Sequence, residues 1–355
     1  MANSFFDSVF GKAIEAFGES VAENVVVQDE LFSKLPRLHK FFRMRYMDGR
    51  RYFTMADGPR LLSGLTAVTK KIKMQRGEDY YLNEWKINMA REGNDADEYA
   101  WMASEFGTLI HIMAADLFSA RARKEGISTR GLDRQLREYM TMIGVPIVYF
   151  KEWYTNMCKA LQSLNQFYSN TEMDIYAIEY CVADFENNIC TPLDIICEIT
   201  LSESVDVPTK TGGTKKQKQD IRELWNLNIK ARKKSDKYSS DKYQLCAEQY
   251  LFNNYSPEVK VARTGVLSPS WSWISKPDCK IHDFTGSFLE RDWKWYLQRL
   301  KEEPGGIHND LFNPDLNQLI GDVNVFSISE IGEVRTEPLE SVADYITKHF
   351  VNVLP

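Results

Sequence analysis

The stretch IYAIEYCVADFENNICTPLDIICEITL, residues 175–201, predicts the centre of a β-sheet. Its two β-branched segments, 175–184 and 190–201, carry polar residues at alternate positions, which is typical of strands. A turn signal at 186–188 separates them and predicts a hairpin. Asp194 interrupts the apolar run of the second strand, and a carboxylate is costly to bury unless it is paired. We therefore expect a cation or hydrogen-bond donors beside Asp194, in either a structural salt bridge or a functional site.

The segment LWNLNIKAR, residues 224–232, predicts a third strand. Alternation places Asn228 and Lys230 on one of its faces, and in the neighbouring strand it places Asp194 and Glu198 on one face. If the two strands pair, Asp194 faces Asn228 and Lys230. Carboxylate and amide oxygens are ligands for Mg²⁺ or Mn²⁺, and a lysine can hold a water or stabilise charge on a phosphate. The three residues therefore predict a site for phosphate chemistry.

Helical patterning surrounds these strands. Helices are predicted at 63–72, 78–125, 130–168 and 243–255, and a further strand at 259–267. A run of helices, a small mixed sheet and another helix indicate an α/β or α+β core with a large helical N-terminal half.

Composition limits the class of protein. The 355 residues are 43% hydrophobic, which is enough for a substantial core, and no apolar run is long enough to span a membrane. The N-terminal segment lacks a basic region, so no secretory signal is predicted. Six cysteines without CxxC spacing predict reduced core residues, no iron–sulfur cluster and a cytoplasmic protein.

Charge is distributed unevenly along the chain. Residues 209–242 hold 11 basic and 4 acidic side chains, a balance of +7, although the whole chain carries −6 and the remainder therefore −13. A basic segment on an acidic protein is a candidate for polyanion binding, and a solvated hairpin explains it equally well.

Two predicted helices contribute further candidates. His111 lies in the apolar segment 106–118, with Gly107 one turn earlier, and a single histidine on such a face is more often a core residue than a ligand. Tyr243 and Gln244 begin a helix, where free N–H groups attract phosphate. An ordinary amphipathic helix explains the second segment as well.

Four motifs, in this order, resemble the RecB-like branch of the PD-(D/E)xK nuclease superfamily. They are Gly107-Thr108-Leu109-Ile110-His111, Cys190-Thr191-Pro192-Leu193-Asp194, Asn228-Ile229-Lys230 and Tyr243-Gln244. Each motif alone is weak, whereas their order and spacing over residues 50–270 are fairly specific. The segment SPSWSW, residues 268–273, resembles phage-encoded members more loosely.

The resemblance implies a restriction-endonuclease-like α/β core, with a mixed central sheet flanked by helices. It implies that His111, Asp194 and Asn228 ligate Mg²⁺ or Mn²⁺, that Lys230 activates the attacking water, and that Gln244 positions DNA or that water. Glu179 stands where the family often has an acid. Tyr243 and four lysines of the basic insertion are implied DNA contacts; these lysines are Lys210, Lys215, Lys216 and Lys218.

The chain departs from the family pattern at three places. Cys190 replaces a glycine, and the insertion at 202–222 lengthens the step from Asp194 to Lys230. The third departure is Asn228, a natural or introduced amide where the family has a second acidic ligand. An amide oxygen is neutral and binds Mg²⁺ less well than a carboxylate, and Glu179 and Glu198 are the candidate auxiliary acids that could supply the missing charge.

Three domains are predicted on this basis. They are a helical N-terminal cap or partner-binding arm at 1–48, a nuclease domain at 49–270 with a basic hairpin insertion at 202–222, and a tryptophan-rich, acidic extension at 271–355 that closes with an amphipathic helix.

Three functions remain open from the sequence. The first is a metal-dependent (exo)deoxyribonuclease that hydrolyses linear or single-stranded DNA with a metal-activated water, in a host cytoplasm if the chain is phage-encoded. The second is a nuclease-fold DNA-binding or scaffold protein that Asn228 has impaired. The third is an interaction module that binds a protein partner through its helical termini and tryptophans, and it predicts that His111, Asp194 and Lys230 do not converge.

Overall fold

In the part of the chain that the structure describes, the central feature of the fold is one nine-stranded sheet. The computed structural model describes residues 41–46, 51–55, 58–78, 80–122, 124, 131–208, 213–256, 258–302 and 325–327.

The strands and helices have the following bounds. The strands are β1 Phe41–Tyr46, β2 Arg51–Met55, β3 Gly58–Gly64, β4 Met173–Asp184, β5 Ile189–Pro208, β6 Thr214–Ile229, β7 Arg263–Pro269, β8 Cys279–Asp283 and β9 Val325–Ser327. The α-helices are α1 Leu65–Gln75, α2 Tyr80–Arg91, α3 Ala96–Ala122, α4 Leu132–Ile143, α5 Phe150–Asn170, α6 Asp241–Tyr255 and α7 Glu290–Glu302.

The sheet is mixed and open. Its main path runs β8-β7-β6-β5-β3-β2-β1-β9, and β4 pairs with β5. The pairs β4–β5 and β5–β6 are antiparallel, whereas β6–β7 and β3–β5 are parallel. The parallel step from β6 to β7 passes through α6, as parallel neighbours require a crossover. The predicted α/β class with a mixed central sheet flanked by helices is therefore confirmed at this level.

Both faces of the sheet are covered by helices. On one face, Ile196 of β5 belongs to a core that includes Val68 of α1, Phe252 of α6 and Trp293 of α7. On the other face, Ile195 packs in a cluster with α3 and α5. Neighbouring residues of one strand thus enter opposite cores, because side chains alternate across a strand.

The 175–201 hairpin forms as predicted. β4 and β5 pair in antiparallel register from Met173 with Ile199 to Asp184 with Ile189. Asn188 at the turn has a φ of 52°, a left-handed conformation that asparagine tolerates better than most residues.

The basic insertion is an extension of β5 and β6 rather than a loop. Residues 200–208 pair with 214–222, from Thr200 with Arg222 to Pro208 with Thr214. Residues 213–220 are exposed throughout. We call the paired segments 200–208 and 214–222 the ribbon.

Three sequence predictions need correction or extension. Residues 41–46, predicted as helix, form β1, and the remaining residues of the predicted cap, 1–40, lie outside the described residues, as does the closing helix predicted near the C-terminus. The helical stretch 78–125 contains two helices, because the chain turns at Gly93 with a φ of 77°. The residues of β8 and α7, assigned to the C-terminal extension, join the same sheet and core.

The described residues include no helix that is long and apolar enough to cross a membrane. All six cysteines are free thiols, and four of them are buried.

Candidate metal centre

The candidate site lies where two strands separate beside β5. On one edge, β5 pairs with β3 only at Ile189 and Cys190, and it pairs with β6 only from Ile195 onward. The segment 191–194 therefore borders an opening between β3 and β6. Pro192 suits this position because it has no N–H to donate to a neighbouring strand.

A cleft with a volume of about 460 Å³ fills this opening. Residues from α3, β4, β5, β6 and α6 line it. The polar and charged lining residues are Thr66, Ser104, Thr108, His111, Glu179, Thr191, Asp194, Asn228, Lys230, Arg232 and Gln244.

One face of α3 forms a wall of the cleft. Ser104, Gly107, Thr108 and His111 recur at three- and four-residue spacing, so they lie on the same side of the helix. A Cβ atom built on Gly107 would meet no heavy atom within 4 Å. The glycine therefore leaves open space in the cleft rather than relieving a clash within the protein.

His111 and Asp194 meet across the cleft. Nδ1 of His111 lies 3.3 Å from Oδ2 of Asp194, and the same oxygen accepts the backbone N–H of Ile229 at 2.6 Å. Asp194 is only 6% exposed. The buried carboxylate thus has the hydrogen-bond donor that the sequence predicted it must have.

Glu179 completes a cluster with these two residues. One ligand atom from each of His111, Glu179 and Asp194 lies within 4.8 Å of the other two. Oxygen ligands sit about 2.0–2.6 Å from Mg²⁺ or Ca²⁺, so ligands on opposite sides of one ion are about 4–5 Å apart. The observed spacing is therefore short enough for the three side chains to share one divalent cation.

Glu179 reaches the cluster through an unusual backbone. Its φ is 53°, a left-handed conformation in the middle of a strand, and an extra residue lies nearby in β4 between Ile175 and Ala177. Such conformations cost about 1–3 kcal/mol and occur often at functional sites.

The strand that carries Asn228 pairs with β5 as predicted, and Lys230 directly follows its last residue, Ile229. The paired register ends at Leu227 opposite Ile195, and beyond it the backbone N–H of Ile229 donates to the Asp194 side chain. Both Asn228 and Lys230 line the cleft. His111, Asp194 and Lys230 therefore converge, contrary to what the interaction-module hypothesis predicts.

The Asn228 amide has one satisfied end. Its Nδ2 donates to Oε1 of Glu248 at 3.3 Å, whereas its Oδ1 is buried without a hydrogen-bond partner. A buried acceptor with no partner carries a desolvation cost. A cation bound by His111, Glu179 and Asp194 is a fitting partner for that oxygen.

Positive charge also borders the cleft. Lys230 and Arg232 both line it, and Arg232 is paired with Asp241. Burial lowers the pKa of nearby Lys73; Asp241 opposes this shift, and Lys230 and Arg232 add to it. The cleft is therefore lined by both acidic and basic side chains.

Glu248 is the residue that sequence reasoning missed. It is fully buried, and its carboxylate accepts hydrogen bonds from Asn226, Asn228 and Gln244. Burial, with a further contribution from Asp194, raises its pKa to about 7, and Lys230 opposes the shift. The one available signal was an acid one helical turn after Gln244 in an otherwise apolar segment.

Two predicted site residues do not reach the cleft. Glu198 accepts hydrogen bonds from Tyr176 and Arg222, both at 3.0 Å, so it belongs to a surface ion-pair group and is not an auxiliary acid. Tyr243 is fully buried and donates to Glu78. This burial is incompatible with the predicted DNA contact by Tyr243.

The predicted DNA-binding lysines lie far from the cleft. Lys216 pairs with Asp206, which is twelve residues along β5 from Asp194, a separation of about 40 Å along the strand at roughly 3.3 Å per residue. Lys215, Lys216 and Lys218 are exposed, and Lys210 lies outside the described residues.

The tryptophans of residues 271–295 lie in different environments. Trp271 packs edge-on against Phe106 of α3, with ring centroids 5.3 Å apart. Trp293 of α7 is buried in the core, whereas Trp295 of the same helix is 53% exposed. Among the described residues they therefore do not form one docking surface.

No model of a known protein family matches the chain, and a comparison with curated proteins finds no significantly similar sequence.

Proposed function

We propose that this protein is a metal-dependent nuclease that hydrolyses phosphodiester bonds in DNA, with a PD-(D/E)xK-like, RecB-like core. The observation that carries the proposal is the convergence of His111, Glu179 and Asp194 at the cleft that Lys230 and Gln244 also line. They come from α3, β4, β5, the end of β6 and α6, and they match the order of the family motifs.

The proposed residues divide the work of hydrolysis. His111, Glu179, Asp194 and Asn228 would hold Mg²⁺ or Mn²⁺. When bound, such an ion lowers the pKa of a water and offsets the negative charge of the phosphate. The reaction joins the water oxygen to phosphorus and breaks one phosphorus–oxygen ester bond. Lys230 would orient the water and stabilise charge on the phosphate, and Gln244 would position the DNA or that water.

The ribbon would supply a second contact with DNA. The tip carries Lys215, Lys216 and Lys218, and a two-stranded ribbon fits the major groove of a duplex. The roughly 40 Å between the ribbon lysines and Asp194 corresponds to about 12 base pairs of B-DNA at 3.4 Å each. We therefore propose that the ribbon holds DNA well away from the bond that is cut.

A second candidate is a nuclease-fold protein that binds DNA without cutting it. One observation favours it: the neutral Asn228 lines the cleft where the family pattern has a second acidic ligand, so the motif positions carry one acid fewer than that pattern implies. This candidate predicts DNA binding that weakens as salt rises and is independent of metal.

Cleavage of labelled DNA separates the two candidates. Linear duplex, single-stranded and closed circular DNA are incubated with the protein and Mn²⁺, Mg²⁺ or EDTA. Asp194→Asn is the control for a contaminating nuclease, because it removes the ligand charge and keeps an acceptor for the Ile229 N–H.

We expect cleavage by the wild type with Mn²⁺, none with EDTA and none by Asp194→Asn. Binding of DNA and Mn²⁺ without any cutting would select the second candidate. A protein that binds neither would contradict both.

A further inference from the structure

The feature that leads beyond the motif pattern is the carboxylate of Glu248 behind the cleft. Gln244 donates to its Oε1 at 2.8 Å and Asn228 at 3.3 Å, and Asn226 donates to its Oε2 at 3.1 Å. In the described part of the chain, no lysine or arginine forms an ion pair with it, so its hydrogen-bond donors are neutral side-chain amides.

Burial of a carboxylate whose hydrogen-bond donors are all neutral amides costs free energy, which suggests a functional role for Glu248. An unpaired charge is expensive in the interior, and hydrogen bonds from neutral groups offset only part of that cost. The nearest charged influences are Asp194, which is unfavourable, and Lys230, which is favourable. Both of these residues line the candidate metal centre.

Glu248 determines the orientation of the Asn228 amide. Because Nδ2 donates to Glu248, Oδ1 occupies the other end of the amide plane, and that oxygen is the buried atom without a partner. Asn228 is 2% exposed and lines the cleft. Amide oxygens are accepted ligands of Ca²⁺ and related hard cations.

An aspartate at position 228 would conflict with Glu248. It could not donate the hydrogen bond that Asn228 provides, and it would put a second negative charge at hydrogen-bond distance from a buried carboxylate. Like charges in such a pair oppose ionisation of one another. The amide at 228 and the acid at 248 are therefore complementary.

We propose that Glu248 is a positioning residue that aims Asn228 Oδ1 at the cation and supplies, behind the cleft, the negative charge that an acid at position 228 would carry. This inference rests on the metal centre of the proposed function. On this proposal Asn228 is a ligand of the cation and not a substitution that inactivates the site.

Asn226 provides a matched control. It also donates to Glu248, it is fully buried, and its Oδ1 also lacks a hydrogen-bond partner. It lies two residues before Asn228 in β6 and does not line the cleft. A purely structural role of Glu248 would couple it equally to Asn226 and Asn228, whereas the proposed role couples it to metal binding through Asn228 alone.

The test is a calorimetric titration of the intact protein with MnCl₂, which does not depend on cleavage. The variants are Glu248→Gln, Asn228→Asp and the double variant, with Asn226→Asp and its combination with Glu248→Gln as controls. Glu248→Gln keeps an oxygen acceptor for the amides and removes the charge. Thermal unfolding of each apo variant establishes that it folds.

We expect Glu248→Gln to weaken Mn²⁺ binding by about 10-fold or more, the lower end of what partners of metal ligands contribute. We expect the double variant Asn228→Asp/Glu248→Gln to return to wild-type affinity or better, because the charge moves to the ligand position. Asn226→Asp should give no such recovery.

Two results would overturn the inference while leaving the proposed metal centre standing. One is an unchanged Mn²⁺ affinity in Glu248→Gln, and the other is equal recovery with Asn226→Asp and Asn228→Asp. A wild-type protein that does not bind Mn²⁺ would overturn both the inference and the proposed centre. The double variant keeps the test decisive if Asn228→Asp alone does not fold.

Discussion

Strands β5 and β6 each have an inner half and an outer half, which differ in burial. In the inner half, residues 224–229 of β6 are buried between two helical layers and pair with β7. In the outer half, residues 214–220 are exposed and pair only with the ribbon segment of β5. Polar residues occur in both halves, at Asn226 and Asn228 in one and at Lys216 and Lys218 in the other.

The difference between these halves shows that burial decides what a polar residue in a strand can do. A buried amide must be oriented by a partner, as Glu248 orients Asn228, and it can then present one chosen atom to a ligand. An exposed lysine is surrounded by water and acts through its charge at longer range. We therefore expect the inner half to govern metal binding and the outer half to govern affinity for DNA.

The largest expected effect is a difference in cleavage rate between substitutions of Asp194 and of Glu198, two residues on the same face of β5. Asp194→Asn should lower Mn²⁺-dependent cleavage by more than about 100-fold, because even partners of metal ligands contribute about 10–100-fold. Glu198→Gln should leave cleavage within about 3-fold, because Glu198 binds Arg222 outside the cleft. Initial rates on labelled linear DNA measure both, and equal losses would break the comparison.

Removal of the metal should lower the free energy of unfolding, because the ion binds beside the buried inner half of β5 and β6. Mn²⁺ at a hundred times its Kd should raise the free energy of unfolding by about 2.7 kcal/mol, since it binds the folded protein alone. Lys216→Glu/Lys218→Glu should show the same increase and Asp194→Asn should show none. Urea titrations with Mn²⁺ and with EDTA provide the measurement, and an increase in Asp194→Asn would place the ion elsewhere.

The ribbon should bind DNA through one of its two faces. Register places Lys216 and Lys218 on the same face, opposite Asp206 and Ser204, and Lys215 on the other face opposite Val207. Lys216→Glu/Lys218→Glu should weaken duplex binding by roughly 10-fold and lower the salt slope by about 2, because each phosphate contact contributes about 0.9.

Lys215→Glu is the matched control for the ribbon experiment. A single lysine on the opposite face should change the salt slope by no more than about 1. Fluorescence anisotropy over a range of salt concentrations measures the slopes. An unchanged slope in the double variant would remove the ribbon from the DNA contact.

The smallest expected effect concerns Gly107. Gly107→Ala should stabilise the protein by about 0.5–1 kcal/mol, because alanine favours the helix and its Cβ meets no protein atom. The same methyl group occupies the cleft, so KM for DNA should rise while stability increases. Ser104→Ala, which removes an atom from the same wall, should leave KM near the wild-type value.

The sequence predicted the hydrophobic framework well because that framework has a period. Alternation located β4, the inner half of β5 and the inner half of β6, and the 3.6-residue period located α3 and α6. The same alternation predicted that Asp194 and Asn228 would lie close together, and both line the cleft.

Other features were harder to predict from a period. One face of the ribbon carries Leu201, Val205, Val207 and Ile221, but its second segment is mostly polar, so the sequence indicated a basic hairpin insertion without fixing its length or register. β1 was read as helix because its aromatic residues also fit a helical spacing. Glu248 acts across the fold on Asn228, and Tyr243 turns inward because α6 begins at Asp241. Such placements depend on tertiary contacts that one sequence does not display.

The central claim is that His111, Glu179, Asp194 and Asn228 form one divalent-cation site. The most direct test is anomalous diffraction from crystals soaked in MnCl₂. We expect an anomalous peak in the cleft, within about 2–2.5 Å of ligand atoms from all four residues, including Asn228 Oδ1. A peak held by residues outside the cleft, or a cleft without a peak at saturating Mn²⁺, would contradict the central claim.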